Sequence, residues 1–202
     1  MLGSWCLAVY RENFQQSPEI PLLRTLDVDF LIPNPPRINR PADVAELLKH
    51  LGFDVEYSVL GGFSKFVHPE LEIEFLTPDL GKGQSTPYKI TALKVVAQGL
   101  RYVSLAEQYA VEMIYKGLPV HVPEPAAFTI LKLLTSRKRK DLTKRERDIS
   151  TAKQMAEFLL ERPAQIAKLS DIFASMPKKW QTTTLRIVKD NSPALYELLE
   201  GE

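Results

Sequence analysis

Two aspartates at alternate positions carry the strongest chemical signal in the sequence. Asp27 and Asp29 lie in residues 26–32, where polar and apolar residues alternate as they do in a β-strand. Both carboxylates then point one way, while Val28 and Phe30 point into the core. Neighbouring ionised carboxylates repel unless a cation lies between them, and oxygen ligands favour Mg²⁺ or Mn²⁺. The pair predicts a metal site; the alternative is the solvent side of an edge strand.

A second strand with the same alternation supplies more carboxylates. In residues 71–76, Ile73 and Phe75 are predicted to point inward, and Glu72 and Glu74 share the other face. If this strand lies beside the first, one glutamate completes a three-carboxylate cluster that can hold two metal ions for an in-line phosphoryl displacement. Both glutamates are candidate ligands, and Glu74 is favoured because it is nearer the strand end. The alternative is two solvated glutamates.

Gly3 and Ser4 stand at the head of a predicted helix over residues 3–14. Backbone N–H groups, the helix dipole and a serine hydroxyl together suit a phosphate group. The alternative is that Ser4 only caps the helix. By itself the pair does not discriminate between these two roles.

The composition sets the frame for these motifs. The chain has 202 residues, of which 45% are apolar and 25% charged, with a formal net charge of +1. This balance allows a packed core and excludes a strongly basic nucleic-acid coat protein, although a local basic patch remains compatible with it. Cys6 is the only cysteine, so an internal disulfide is excluded. Without a long apolar run or a signal peptide, the expected location is the cytoplasm, with no membrane contact.

The predicted elements change character near residue 123. An α/β part, residues 1–123, precedes a helical part, residues 124–202, and this division is the predicted domain organisation. In the first part we predict, besides strands 26–32 and 70–77, a helix over 41–51, strands over 53–60 and 64–68 with a Gly61-Gly62 turn, a loop over 78–88, and a hairpin over 110–122. In the second part we predict helices over 126–134 and 144–160 and further helical segments from Pro163 to Leu199.

Taken together, Gly-Ser before a helix, Asp-x-Asp on a strand and a later strand carboxylate resemble the DNA-polymerase-β-like nucleotidyltransferase superfamily. The sequence is most similar to a bacterial branch of uncharacterised nucleotidyltransferase-like proteins, related to those of some toxin–antitoxin pairs. The resemblance covers about residues 3–160. It is carried by Arg24-Thr25-Leu26-Asp27-Val28-Asp29-Phe30, Glu74-Phe75-Leu76-Thr77-Pro78, Val122-Pro123-Glu124-Pro125-Ala126-Ala127-Phe128, Leu131-Lys132-Leu133-Leu134, Ser136-Arg137-Lys138-Arg139 and Lys144-Arg145-Glu146-Arg147-Asp148.

The resemblance implies an α+β fold with a mixed or antiparallel sheet flanked by helices and followed by a C-terminal helical region. It also implies roles for individual residues. Asp27 and Asp29 would bind both metal ions, with Glu74 as the third carboxylate near the attacking hydroxyl. The nucleotide phosphates would be contacted by Gly3, Ser4, Thr25, Lys132 and Arg137. The alternatives are a surface lysine for Lys132 and a solvated basic loop for residues 137–140.

The implied activity is metal-dependent transfer of a nucleotidyl group from a nucleoside triphosphate to a hydroxyl of a protein, an RNA or a small molecule. The competing hypothesis is an inactive binding module, such as one half of a toxin–antitoxin pair, with a partner protein or a second copy bound. Relatives carry an element before Gly-Ser, whereas only Met1 and Leu2 precede it here. We therefore expect a missing N-terminal element and compromised activity.

Overall fold

A computed structural model describes residues 1–23, 25–57, 62–79 and 87–201 of the chain. Arg24, Gly61 of the predicted turn and most of the predicted 78–88 loop lie outside the described residues. Within the described parts, no helix has both the length and the apolar character needed to cross a membrane.

A six-stranded mixed sheet forms the first part of the fold. Its path runs β2-β3-β4-β6-β5, and β1 pairs with β4. β4 is parallel to both β1 and β6, whereas β2–β3, β3–β4 and β5–β6 are antiparallel. The strands are β1 Asp27–Leu31, β2 Asp54–Tyr57, β3 Ser64–His68, β4 Leu71–Pro78, β5 Pro87–Ile90 and β6 Val95–Leu100.

Helices and one hairpin complete the described fold. The predicted hairpin is present as β7 Ala110–Tyr115 paired with β8 Leu118–Pro123. The helices are α1 Trp5–Asn13, α2 Val44–His50, α3 Ser104–Gln108, α4 Pro125–Ser136, α5 Leu142–Leu160, α6 Pro163–Ser175, α7 Lys178–Asn191 and α8 Pro193–Glu200. The α+β class with a mixed sheet, flanking helices and a C-terminal helical region is confirmed.

Capping side chains decide where several helices begin. α2 starts later than the predicted residue 41, because the Asp43 carboxylate accepts a hydrogen bond from the Glu46 N–H at 3.0 Å. α5 starts at Leu142 because Asp141 accepts from the Lys144 N–H at 3.1 Å. The prediction missed the strands and helix between residues 87 and 108, whose apolar runs are short.

α1 shares a hydrophobic core with the C-terminal helices. The Tyr10 ring meets Phe128 edge-on at 5.5 Å, and Phe14 meets Phe158 at 5.0 Å. The buried Tyr10 hydroxyl donates to the Pro123 carbonyl at 2.6 Å. The helix that carries Gly3 and Ser4 at its head is therefore packed against the helical part of the chain. The predicted division into two domains at residue 123 stays a prediction.

The sheet core follows the predicted alternation with one exception. Ile73 and Phe75 are buried, as is Val28, as predicted. Phe30 was predicted to point into the core, but 38% of it is exposed. The reason is that β1 is an edge strand, so Phe30 is covered only on one side, where it stacks on Phe75 at 6.0 Å.

Candidate active site

Pairing of β1 with β4 brings four carboxylates onto one face of the sheet. The strands are parallel, with Asp27 opposite Glu72 and Asp29 opposite Glu74. Residues opposite each other on neighbouring strands point to the same side, so these side chains form two adjacent rows. The sequence predicted the alternation along each strand, and the register shows that the two rows face the same way.

Asp29 lies at the crowded centre of this face. Burial and then the charges of Glu74 and Asp27 raise the pKa of its carboxyl from 3.8 to about 6. The opposing influence of Lys132 is smaller and lowers the pKa. The Asp29 carboxylate is therefore held where its negative charge is only partly compensated.

Gly3 lies directly against the Asp29 carboxylate. The Leu2 N–H donates to the Asp29 backbone carbonyl at 2.7 Å, which fixes the chain beside β1. Gly3 has φ +70°, and a Cβ added there would lie 2.4 Å from Oδ2 of Asp29. A larger residue at this position would both strain the backbone and displace the carboxylate, so only glycine allows this close approach.

Ser4 and Thr25 contribute hydroxyl groups next to the carboxylates. Ser4 is the N-cap residue of α1, but its side chain makes no capping hydrogen bond. The Ser4 hydroxyl therefore does not cap α1, which was the alternative considered from the sequence. Thr25 Oγ1 accepts a hydrogen bond from the Asp27 N–H at 3.2 Å. Both residues line the same cavity as Asp27 and Asp29.

Lys65 on β3 is a site residue that sequence reasoning missed. It pairs with Glu74 across the antiparallel β3–β4 ladder, and its Nζ lies 2.5 Å from Glu72 Oε2 and 3.7 Å from Glu74 Oε1. This ammonium lowers the pKa of Glu72, whereas burial and then Glu72 raise the pKa of Asp27. β3 and β4 are joined by only two residues, and this tight connection sets Lys65 opposite Glu74. The predicted strands, 64–68 and 70–77, left one joining residue, and a shift of one residue moves a side chain to the other face.

A buried ion-pair network forms the opposite wall of the site. Lys132 Nζ lies 2.7 Å from Asp148 Oδ1, and Arg139 Nε lies 2.9 Å from Asp148 Oδ2. Only 9% of Lys132 and 3% of Asp148 is exposed. Lys132 is therefore held in place by α5 and differs from the surface lysine considered as its alternative.

The two walls enclose a cavity of about 180 Å³. Four carboxylates and five cations line it together with Gly3, Ser4 and Thr25: Asp27, Asp29, Glu74, Asp148, Lys65, Lys132, Arg139, Lys144 and Arg147. Glu72 is not among the lining residues. Arg137 is exposed at the C-terminal end of α4 and lies outside the cavity, whereas Arg139, two residues further, lies in it.

The donor set suits a divalent cation after one rearrangement. Asp27 and Asp29 are hard oxygen donors, and a cation would stabilise the Asp29 carboxylate, whose pKa is raised by burial and then by the charges of Glu74 and Asp27. In the described residues, no three Asp, Glu, His or Cys side chains already converge as a ligand set. Glu72 and Glu74 contact Lys65 instead, so a third carboxylate would join Asp27 and Asp29 only if that ammonium moved away.

Comparisons with known proteins identify the family of the chain and a structure of similar fold. A family model described as Nucleotidyltransferase matches residues 1–174. No curated protein matches the chain. The crystal structure of an antigenic nucleotidyltransferase-like protein from Paracoccidioides brasiliensis is similar in fold, with a TM-score of 0.51 and 15% identity over 98% of this chain and 92% of that one. The family match covers most of the chain, and the chain belongs to the nucleotidyltransferase family.

Proposed function

We propose that the protein transfers a nucleotidyl group from a nucleoside triphosphate to a hydroxyl, using Mg²⁺ or Mn²⁺. The observation that carries this proposal is the cavity with an acidic wall on β1 and β4 and a basic wall on α4 and α5. A triphosphate with its cation needs both kinds of wall, because the cation binds carboxylates and the phosphate oxygens bind ammonium and guanidinium groups.

Each wall has a distinct task in the proposed reaction. Asp27 and Asp29 would hold the cation, joined by Glu74 after Lys65 moves. A divalent cation in this place neutralises charge on the triphosphate and lowers the pKa of the attacking hydroxyl. Gly3 and Ser4 present backbone N–H groups and a free hydroxyl to the phosphates.

The basic wall and Glu74 complete the proposed reaction. Lys132 contributes a positive charge whose position is set by Asp148. The oxygen of the acceptor hydroxyl forms a bond to the α-phosphorus. The bond between the α-phosphorus and the oxygen that bridges the α- and β-phosphates breaks. Pyrophosphate leaves with that electron pair, and the hydroxyl proton passes to Glu74.

A binding module without turnover is the second candidate, and Lys65 favours it. Its ammonium already neutralises Glu72 and lies near Glu74, so the chain satisfies part of the acidic wall with its own cation. In this alternative the fold binds a nucleotide or a partner protein, as one half of a toxin–antitoxin pair would. The bacterial branch, the toxin–antitoxin relationship, a homo-oligomer and the cytoplasmic location stay predictions.

Incubation with each α-labelled nucleoside triphosphate and Mg²⁺ separates the two candidates. We expect the wild type to transfer label to protein, RNA or a small-molecule hydroxyl, and Asp27→Ala/Asp29→Ala to transfer none, because the double variant loses both predicted ligands. Equilibrium binding of the same nucleotides is measured in parallel. Binding without transfer would support the module, and absence of both would contradict the enzyme.

A further inference from the structure

A second cavity, of about 500 Å³, opens next to the acidic site. Its wall comes from the end of β6, the turn after it and the loop between α4 and α5. Arg139 and Lys144 line both cavities, so the two spaces adjoin through these side chains. We call it the basic cavity, after its cations Arg101, Lys138, Arg139, Lys140 and Lys144. A ligand in the basic cavity therefore lies next to the acidic site, with Arg139 and Lys144 between the two spaces.

Within the described residues, only part of the charge of the basic cavity is compensated by carboxylates. Of its five cations, Arg139 is already paired with Asp148, and the carboxylates in the lining are Asp79 and Asp141, of which Asp141 caps α5. Arg101, Lys138 and Lys140 are exposed, and none of them forms an ion pair within the described residues. Such a cluster attracts a polyanion, since like charges gathered in a concave wall repel one another and concentrate counter-ions.

An aromatic ring on the same wall narrows the class of polyanion. Tyr102 lines the basic cavity and is held edge-on against Trp180 at 5.0 Å. Its backbone has φ +71°, an uncommon conformation for a residue with a side chain. Cations that follow a phosphate backbone and an aromatic ring on which a base stacks are the two features of single-strand nucleic-acid binding. An acidic peptide would use the cations but has no base to stack on the part of the Tyr102 ring that lines the cavity.

We propose that the basic cavity binds a single-stranded nucleic acid whose terminal hydroxyl enters the acidic site as the acceptor. This inference rests on the proposed nucleotidyl transfer and names its acceptor class. The strand phosphates lie against Arg101, Lys138 and Lys140, and a base stacks on Tyr102. The terminal hydroxyl oxygen then forms the bond to the α-phosphorus described above, pyrophosphate leaves, and the strand is extended by one nucleotide.

Strand binding is measured by fluorescence anisotropy with a short labelled single-stranded oligoribonucleotide over a range of KCl concentrations. Lys138→Ala/Lys140→Ala removes two of the proposed phosphate contacts. We expect the Kd for the strand to rise about tenfold. The slope of log K against log[KCl] should become shallower by roughly 0.7 for each phosphate contact that is lost. Lys49→Ala/Lys153→Ala is the matched control, because it removes two exposed lysines from α2 and α5, outside the lining of the basic cavity. MgATP binding by each variant is measured separately.

Weaker strand binding by Lys138→Ala/Lys140→Ala alone, with MgATP binding retained, supports the proposal. Equal strand affinity in both double variants would overturn it, as would equally tight binding of a poly-glutamate peptide, which would identify a protein surface instead. Failure of the proposed transfer activity looks different: strand binding stays dependent on Lys138 and Lys140, but no labelled nucleotide is added to the strand.

Discussion

Asp29→Asn is expected to slow nucleotidyl transfer severely and at the same time to stabilise the folded protein at neutral pH. The substitution removes a predicted metal ligand, so we expect a loss of rate on the order of 10³-fold, corresponding to several kcal/mol of charge stabilisation. It also removes the negative charge that burial, Glu74 and Asp27 make unfavourable. A functional residue that destabilises its own fold is typical of active sites.

The pH dependence of this stabilisation follows from the direction of the pKa shift. The folded state keeps the Asp29 proton up to about pH 6, whereas the unfolded chain releases it near 3.8. Stability therefore falls as pH rises through this window, and the full penalty is present above pH 6. The difference between the two pKa values corresponds to roughly 3 kcal/mol. We expect about 1 to 2 kcal/mol, because the side chain is partly exposed to solvent.

Chemical denaturation without Mg²⁺, at pH 8 and at pH 4, measures the effect. Asp29→Asn should gain free energy of unfolding at pH 8 and little at pH 4. Asp54→Asn, at an exposed position on β2, serves as the control and should change neither value. If Asp29→Asn were less stable than the wild type at pH 8, burial and the neighbouring carboxylates would not be penalising the Asp29 charge, against what the structure indicates.

Asp148→Ala is expected to be the most destabilising single substitution at the site. Asp148 is buried and binds both Lys132 and Arg139, so its loss leaves the Lys132 ammonium in the interior without its ion-pair partner. Removing one partner of a buried ion pair costs about 3 to 5 kcal/mol. We expect transfer activity to fall as well, since Lys132 is then free to leave the cavity wall.

Thermal unfolding and chemical denaturation of two further variants show whether the buried charge is the cause. Lys132→Met/Asp148→Leu removes both charges and should be less destabilised than Asp148→Ala. Asp171→Ala, at an exposed position on α6, should stay close to wild type. If the double variant is as unstable as Asp148→Ala, lost packing and not the unpaired lysine explains the effect.

Local patterns of the sequence account for much of the acidic wall. Alternation along β1 and β4 placed Asp27 with Asp29 and Glu72 with Glu74, because side-chain direction in a strand depends only on sequence parity. Parallel pairing of β1 with β4 brings together residues 45 positions apart, Asp27 and Glu72, and no local pattern encodes that pairing. The prediction that Phe30 points into the core was wrong for a related reason. Whether a strand lies at the edge of a sheet depends on the whole sheet and not on the local sequence.

The basic wall depended on longer-range contacts. Lys132 was identified through family resemblance, but its partner Asp148 lies on the next helix, and nothing in the spacing of the two residues predicts their contact. Arg137, the first of a run of four basic residues, was also identified through the resemblance, and the cavity is lined by Arg139 of that run. The helix end at Ser136 and the loop after it decide which of these side chains turns inward.

The most direct test of the proposed metal site at Asp27 and Asp29 is anomalous diffraction from crystals grown with Mn²⁺ and a non-hydrolysable nucleoside triphosphate. Strand alternation and register place Asp27 and Asp29 together, and the proposed nucleotidyl transfer requires them to share a cation. We predict a manganese peak within about 2.2 Å of both carboxylates, phosphates beside Gly3 and Ser4, and Lys65 turned away from Glu74. A nucleotide bound without manganese at these aspartates, with Lys65 still on Glu72 and Glu74, would contradict the account.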